Sequence, residues 1–519
     1  MTEPHLATNR PRPSLVPENA RRMAVGPDLQ PLLSELHAPG RSSFKVPHAP
    51  SDALAGIPAE HLRETPPGLP EIDEPTVVHH FVRLSHLNYS VDSGIYPLGS
   101  CTMKYNPKVN EQAARLPGFA ALHPLAPDEL AQGSLELMWS LQQQLAEIGG
   151  FSAASLQPAA GAHGELTGIL VIRAYHLAHG DVERDEVIVP DSSHGTNPAT
   201  ASMAGYKTVT ITSTPQGLVD IEALREALSP RTAAVMLTNP STLGLFEPQV
   251  VELLEAVHEA GALAYMDGAN MNAVLGHFRP GEAGFDVMHF NLHKTFSTPH
   301  GGGGPGAGPI AVAEHLVPYL PRPLVVREGE RYRLEQPDER PASIGRMRAY
   351  QGSAGILVRA YAYIRAHGGS GLRQVSEDAV LAANYLRQRV GEAYELPVAG
   401  PCKHEFVASA SAIKESTGVR TYDIAKRLID HGYHPPTIYF PLIVEECLLI
   451  EPTEPESVET LDAFADALIA VARAAAEDPG LLTSAPHDAP VRRLDETTAA
   501  RKPDLHWQPL AGAGRPCPQ

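Results

Sequence analysis

The chain predicts an α/β fold: a large domain with a mainly parallel sheet covered by helices, followed by a smaller C-terminal α+β domain. Three observations predict it. Short apolar runs alternate with helical patterns from residue 135 to residue 292. Polar clusters follow those runs, and beyond residue 400 the order changes to strand, helix, strand, helix. Strands alternating with helices call for parallel pairing, because a parallel connection needs a crossover about the length of a helix.

The elements follow in order. Leu135, Met138, Leu141, Leu145 and Ile148 recur at helical spacing, with Ser134 placed to cap the start and Gly149 to end the helix. A small-residue turn, 157–166, then opens a second helix through Ile169, Leu170, Arg173 and Leu177. Backbone N–H groups at such a turn can approach an anion, which makes Ala162 and His163 candidates for holding a phosphate. Runs 186–189 and 208–211 read as strands, Asp220 caps a helix carrying Ile221, Leu224 and Leu228, and 233–237 is the next strand. A helix after Pro248 carries Val250, Leu253, Leu254 and Val257 and stops at Gly261, before the strands 263–266 and 287–292.

Domain boundaries are expected as a Pro-rich arm over 1–75, the large domain over 76–320, the small domain with its connecting segment over 321–478, and an extended tail over 479–519. Segment 321–370 reads as basic and irregular, with Arg346, Arg348 and Arg359 available for a substrate carboxylate or for subunit contacts.

The 519 residues carry a formal net charge of -19, which argues against a nucleic-acid partner. Four scattered cysteines signal neither a zinc cage nor a disulfide framework and fit a reducing cytoplasm. No apolar run is long enough to span a bilayer, and the N-terminus does not read as a secretory signal. His289 and His293 fall on a predicted strand, where their rings would not converge, so no metal site is expected.

Chemistry gathers after the strands, where loops at the carboxyl edge of a parallel sheet converge on one crevice. Lys294 lies in Asn291-Leu292-His293-Lys294-Thr295-Phe296, backed by the glycine loop 301–306. A lysine so placed points to an imine with pyridoxal phosphate, and Asp267, ending the preceding strand, is the acid to face the pyridine nitrogen. His194 is placed to stack on the ring, and Ala269 leaves room on the opposite face. Thr242 or Asn239 could bond the ring hydroxyl, while His293 suits either proton transfer or a phosphate contact. Gly301, Gly303 and Gly306 spell a dinucleotide fingerprint, but Pro305, Pro309 and a following strand-like run argue against it.

The Lys294 motif, with Tyr265-Met266-Asp267-Gly268-Ala269-Asn270, Ser193-His194-Gly195-Thr196-Asn197-Pro198 and Tyr96-Pro97-Leu98-Gly99-Ser100-Cys101-Thr102-Met103-Lys104, resembles the glycine cleavage system P-protein, the decarboxylating glycine dehydrogenase. The similarity runs from about Glu71 to about Ala475 and corresponds to the C-terminal half of the long form, or the second subunit of the split form. The resemblance implies a fold-type I pyridoxal-phosphate enzyme that decarboxylates glycine through an aldimine and transfers the aminomethyl group to the lipoyl disulfide of H-protein. It also implies a homologous first subunit, in a dimer of heterodimers, with no nicotinamide consumed. An aminotransferase would not explain the long loop matches. A desulfurase would need a mobile cysteine, which Cys402 and Cys447 do not offer, and a catalytically silent scaffold would not need Lys294, Asp267 and His194 together.

Overall fold

The computed structural model describes residues 30–42, 50, 52–65, 68–300 and 306–506. The first 29 residues, Pro66, Pro67, the loop 301–305 with most of the dinucleotide-like match, and Cys517 lie outside them. The chain divides into two compact units, one formed by Met1–Tyr89 with Ala485–Gln519 and the other by Ser90–Ser484.

A seven-stranded sheet organises the larger unit: β1 (Ala153–Ser155), β2 (Glu186–Pro190), β3 (Lys207–Ile211), β4 (Thr232–Thr238), β5 (Leu263–Gly268), β6 (Val287–Phe290) and β7 (Ile310–Val312). Its order is β1-β7-β6-β5-β4-β2-β3. β2 to β6 pair in parallel, and β7 alone runs against its neighbours. Both faces are covered, so the central strands are apolar at almost every position. Val235, Leu237, Ala264 and Met266 face a cluster containing the helices Gln132–Gly149 and Val250–Glu259, while Ala234, Met236, Leu263 and Tyr265 pack against Ile169 and Ile172 of the helix Gly161–Ala178.

A hairpin of β8 (Val325–Glu328) and β9 (Arg331–Leu334) follows, then a long helix, Ala354–Val390, broken at Gly368 where φ is 61°. Segment 321–370 is therefore ordered, contrary to the irregular stretch expected. Its arginines hide the pattern of Ile356, Leu357, Ala360 and Ile364, which are buried on the large core. The far end of the same helix places Ala383, Leu386 and Val390 in a second core, under the antiparallel sheet β10 (Phe406–Ser409), β12 (Cys447–Ile450) and β11 (Thr437–Ile438). The helices Thr421–Asp430 and Val458–Glu477 complete this core.

Several boundaries move. The first large helix starts at Gln132, ahead of Ser134, and Gly150 ends it at φ 73°. The run 287–292 leaves the strand at Phe290, because the Asn291 carbonyl accepts the N–H groups of Lys294 and Thr295 at 3.0 and 3.2 Å and winds a short helix, Leu292–Thr295. In the smaller unit, the arm continues into a helix, Glu74–His86, whose first turn is capped by the Asp73 carboxylate accepting from Thr76 N–H. Nor is the tail simply extended: Asp478 caps a helix, Pro479–Thr483, that buries Leu482 in the second core, and Asp495 caps Glu496–Arg501.

Candidate active site

Loops from the carboxyl ends of β2, β4, β5 and β6 meet in a cavity of about 200 Å³. Lys294, His293, His194, Asp267, Ala269, Thr242 and Ala162 all line it. His163 and Asn239, also named from the sequence, do not. The His163 ring turns back on its own turn, with Nδ1 accepting from Ala159 N–H at 3.1 Å. Asn239 faces a separate small cavity, where its Oδ1 accepts from Glu247 N–H at 3.0 Å. The arginines lie elsewhere too: Arg359 pairs with both oxygens of Glu111 at 2.8 Å, and Arg348 donates to Ser353 Oγ at 2.9 Å.

Asp267 is the penultimate residue of β5 and is buried. Its Oδ1 accepts from Ala269 N–H at 2.9 Å and its Oδ2 from Asn197 Nδ2 at 3.2 Å. Burial alone would raise this carboxyl, but His289, the Ala269 N–H, Lys294 and Asn197 outweigh it and hold Asp267 below its ordinary value. Behind it stands His289, its partner across β5 and β6, with Nε2 3.4 Å from Asp267 Oδ1 and Nδ1 2.8 Å from Tyr265 Oη. Burial lowers the pKa of this imidazole, against the opposing pull of the Asp267 charge. The same Nε2 also lies 3.2 Å from Asn291 Nδ2, so the ring is fixed between Tyr265, Asn291 and Asp267.

A second acid, Glu165, sits within the helix Gly161–Ala178. Thr196 Oγ1 donates to its Oε1 at 2.7 Å and Asn197 Nδ2 to its Oε2 at 2.9 Å. Burial, and then the Asp267 charge, push Glu165 up to about 7. The two carboxylates thus divide their roles: Asp267 keeps the charge and Glu165 tends to keep a proton.

His194 is held by Thr196, whose Oγ1 lies 2.9 Å from Nδ1, and its ring meets Phe440 edge-on at 5.6 Å. Burial lowers its pKa, so a neutral ring faces the cavity. His293 is pushed down to about 3 by burial and by the charge of Lys294. Its Nδ1, together with Thr238 Oγ1 and Asn270 Oδ1, is buried with no hydrogen-bond partner among the described residues, and all three residues line the cavity. Gly161 opens the helix there, and a Cβ on it would lie 2.3 Å from Asn291 Oδ1. Only glycine lets the helix N-terminus come this close.

The Lys294 amine donates to the Ser100 carbonyl at 2.8 Å. Ser100 and Cys101 also line the cavity, whereas Cys402 and Cys447 are buried in the small domain, where burial raises both thiols to about 12. Sequence reasoning gave no role to Glu165, Asn197 or His289.

Comparisons with known proteins bear on the family and the fold. The family description "Aminotransferase class-V" matches residues 168–303, and "Glycine dehydrogenase, C-terminal domain" matches residues 375–483. A protein of Halalkalibacterium halodurans named "Probable glycine dehydrogenase (decarboxylating) subunit 2" is 57% identical over 486 residues, covering 93% of this chain and 99% of its own. One of the same name from Chlorobium chlorochromatii is 57% identical over 478 residues, covering 91% and 98%. Among solved structures, a glycine decarboxylase (P-protein) of the glycine cleavage system in inhibitor-bound form superposes with a TM-score of 0.69 at 23% identity, covering 90% of this chain and 100% of that one. An Escherichia coli cysteine desulfurase gives 0.56 at 17% identity, covering 74% and 95%. Both share the fold, that of fold-type I enzymes, and the near full-length identity to the curated relatives goes further: the chain belongs to the family of glycine dehydrogenase (decarboxylating) subunit 2.

Proposed function

We propose that this chain is the pyridoxal-phosphate-bearing subunit of a glycine-cleaving P-protein. In this reading it decarboxylates glycine and passes the remaining aminomethyl group to the lipoyl disulfide of H-protein. The observation that carries the reading is the convergence of Lys294, Asp267 and His194 on one cavity from the ends of three different strands. The donor set fits the cofactor: an amine, a carboxylate held ionised, a flat neutral ring, a helix N-terminus opened by Gly161, and buried polar atoms at His293, Thr238 and Asn270 that lack partners among the described residues.

When bound, pyridoxal phosphate supplies an electron sink for the pair released as glycine loses CO2. Lys294 carries the cofactor covalently through its amine. Asp267, ionised and backed by His289, holds a proton at the ring nitrogen. The flat His194 ring would pack against the cofactor, and the small Ala269 would leave room for it. Gly161 and Ala162 present backbone N–H groups to the phosphate, with the helix dipole behind them. His293, neutral at physiological pH, can accept a proton within the cavity or bond the phosphate, and Thr242 is the group for the ring hydroxyl.

The subunit named in the relatives implies a first subunit, and we place the pair in a dimer of heterodimers that receives lipoylated H-protein. Free thiols at Cys101, Cys402 and Cys447 suit a reducing cytoplasm. The test is direct. Borohydride reduction of the full chain with pyridoxal phosphate is expected to leave one stable adduct, on the peptide containing Lys294, and Lys294→Ala is expected to lose it together with the visible absorption. An adduct retained in that variant would overturn the assignment.

A further inference from the structure

A buried acid cluster outside the groups used above grips the loop that meets Lys294. Gly99 lies directly on β12: its N–H donates to the Leu449 carbonyl at 3.2 Å, and a Cβ on it would fall 2.3 Å from Leu449 Cγ. Thr437 Oγ1 of β11 donates to the Gly99 carbonyl at 2.8 Å. From there two glutamates take over. Ser100 N–H donates to Glu405 Oε2 at 2.7 Å and Thr102 N–H to Glu451 Oε2 at 2.9 Å, while the Thr102 hydroxyl donates to the other Glu451 oxygen. Both glutamates are 0% exposed. Asn270 Nδ2 adds a bond to Glu405 Oε1 at 3.3 Å, and His404, equally buried, sits with Nε2 3.9 and 3.8 Å from the two carboxylates.

The backbone between these anchors is in an unusual state. Ser100 has φ 65° and Thr102 has φ 43°, left-handed values that residues with a side chain keep only where the surroundings over-determine them. Here the surroundings are the two carboxylates. The consequence is geometric: the Ser100 carbonyl points at Lys294 Nζ, 2.8 Å away.

We propose that Glu405 and Glu451 are positioning residues for Lys294: by gripping the 99–102 loop from the small sheet, they hold the Ser100 carbonyl where it accepts the lysine N–H and orients the amine into the cavity. An amine so held stands at one fixed place on the cavity wall, which sets its approach to a carbonyl. Burial and then the Glu451 charge push Glu405 well up, while burial, with the Glu454 charge beside it and against the two Thr102 hydrogen bonds, pushes Glu451 up to about 7. The inference rests on the reading of Lys294 as the cofactor lysine.

The test measures orientation rather than turnover. The full chain is mixed with pyridoxal phosphate, quenched with borohydride at timed intervals, and the adduct on the Lys294 peptide is quantified by mass spectrometry. Glu451→Gln, Glu405→Gln and the near-isosteric Thr102→Val are compared with Glu446→Gln, which removes a buried carboxylate bonded to Thr421 and not to the loop. Trapping on Lys294 is expected to slow about ten-fold in the three loop variants, the order of one or two hydrogen bonds lost, with circular dichroism showing each variant folded at the assay temperature. Glu446→Gln is expected to trap at the unaltered rate. An unchanged or faster rate in folded Thr102→Val overturns the proposal, as does equal slowing in Glu446→Gln. No adduct on Lys294 in the unaltered chain overturns the cofactor assignment and this inference with it.

Discussion

Replacing Glu165 by Gln tests the division of labour between the two acids. Burial and the neighbouring Asp267 charge carry the Glu165 carboxyl from 4.5 to about 7, a change worth about 3 kcal/mol between its two protonation states. The folded-state value is raised, so the contribution of the neutral acid is fully present below pH 4.5 and is lost as pH rises through about 7. Glutamine resembles the neutral acid and does not titrate. It can accept from Asn197 Nδ2 with one end and meet Thr196 Oγ1 with the other, so the two existing contacts survive. Urea unfolding followed by fluorescence at pH 5 and pH 8 is the assay. Near pH 5 the variant is expected to match the unaltered chain; at pH 8 it is expected to gain stability relative to it, by up to about 3 kcal/mol. Equal pH dependence in the two proteins would refute the proposition that burial and the Asp267 charge together hold a proton on Glu165.

Two further outcomes follow from the same geometry. Asp267→Asn removes the charge that His289 and Asn197 support; glycine carboxyl exchange is expected to fall on the order of a hundred-fold or more, the scale of losing one preorganised electrostatic contact, while the adduct on Lys294 still forms. Gly161→Ala forces a Cβ toward Asn291 Oδ1, only 2.3 Å away, so the helix N-terminus or the buried Asn291 side chain at the cavity must shift; titration of visible absorbance with pyridoxal phosphate is expected to show binding weakened about ten-fold, the scale of a helix N-terminus acting on an anion.

Much of the large domain is legible in the sequence, because strands buried on both faces leave unbroken apolar runs such as 233–237 and 263–266 that end at turns. Asp267 and Lys294 are legible for the same reason, each standing next to the end of a strand. His289 is not. Its meeting with Asp267 depends on the register of β5 and β6, which no spacing within one strand reveals. Glu165, one turn into a helix, reads as an ordinary exposed acid until that helix is laid against the sheet. The partners of Ser100 and Thr102 stand 305 and 349 residues further along the chain. Arg346, Arg348 and Arg359, read as open to a substrate carboxylate or to subunit contacts, do not line the cavity, and each is bonded within the chain, Arg346 to the Tyr350 carbonyl.

The central claim is that this chain, through Lys294, carries the decarboxylation of glycine. Exchange of labelled bicarbonate into the carboxyl group of glycine measures that directly, using the full chain with its first subunit, pyridoxal phosphate and lipoylated H-protein. Exchange in the complete mixture, absent without the first subunit and absent with Lys294→Ala, is the expected result. Exchange that persists with Lys294→Ala, or a complete mixture that binds the cofactor and exchanges nothing, would contradict the claim.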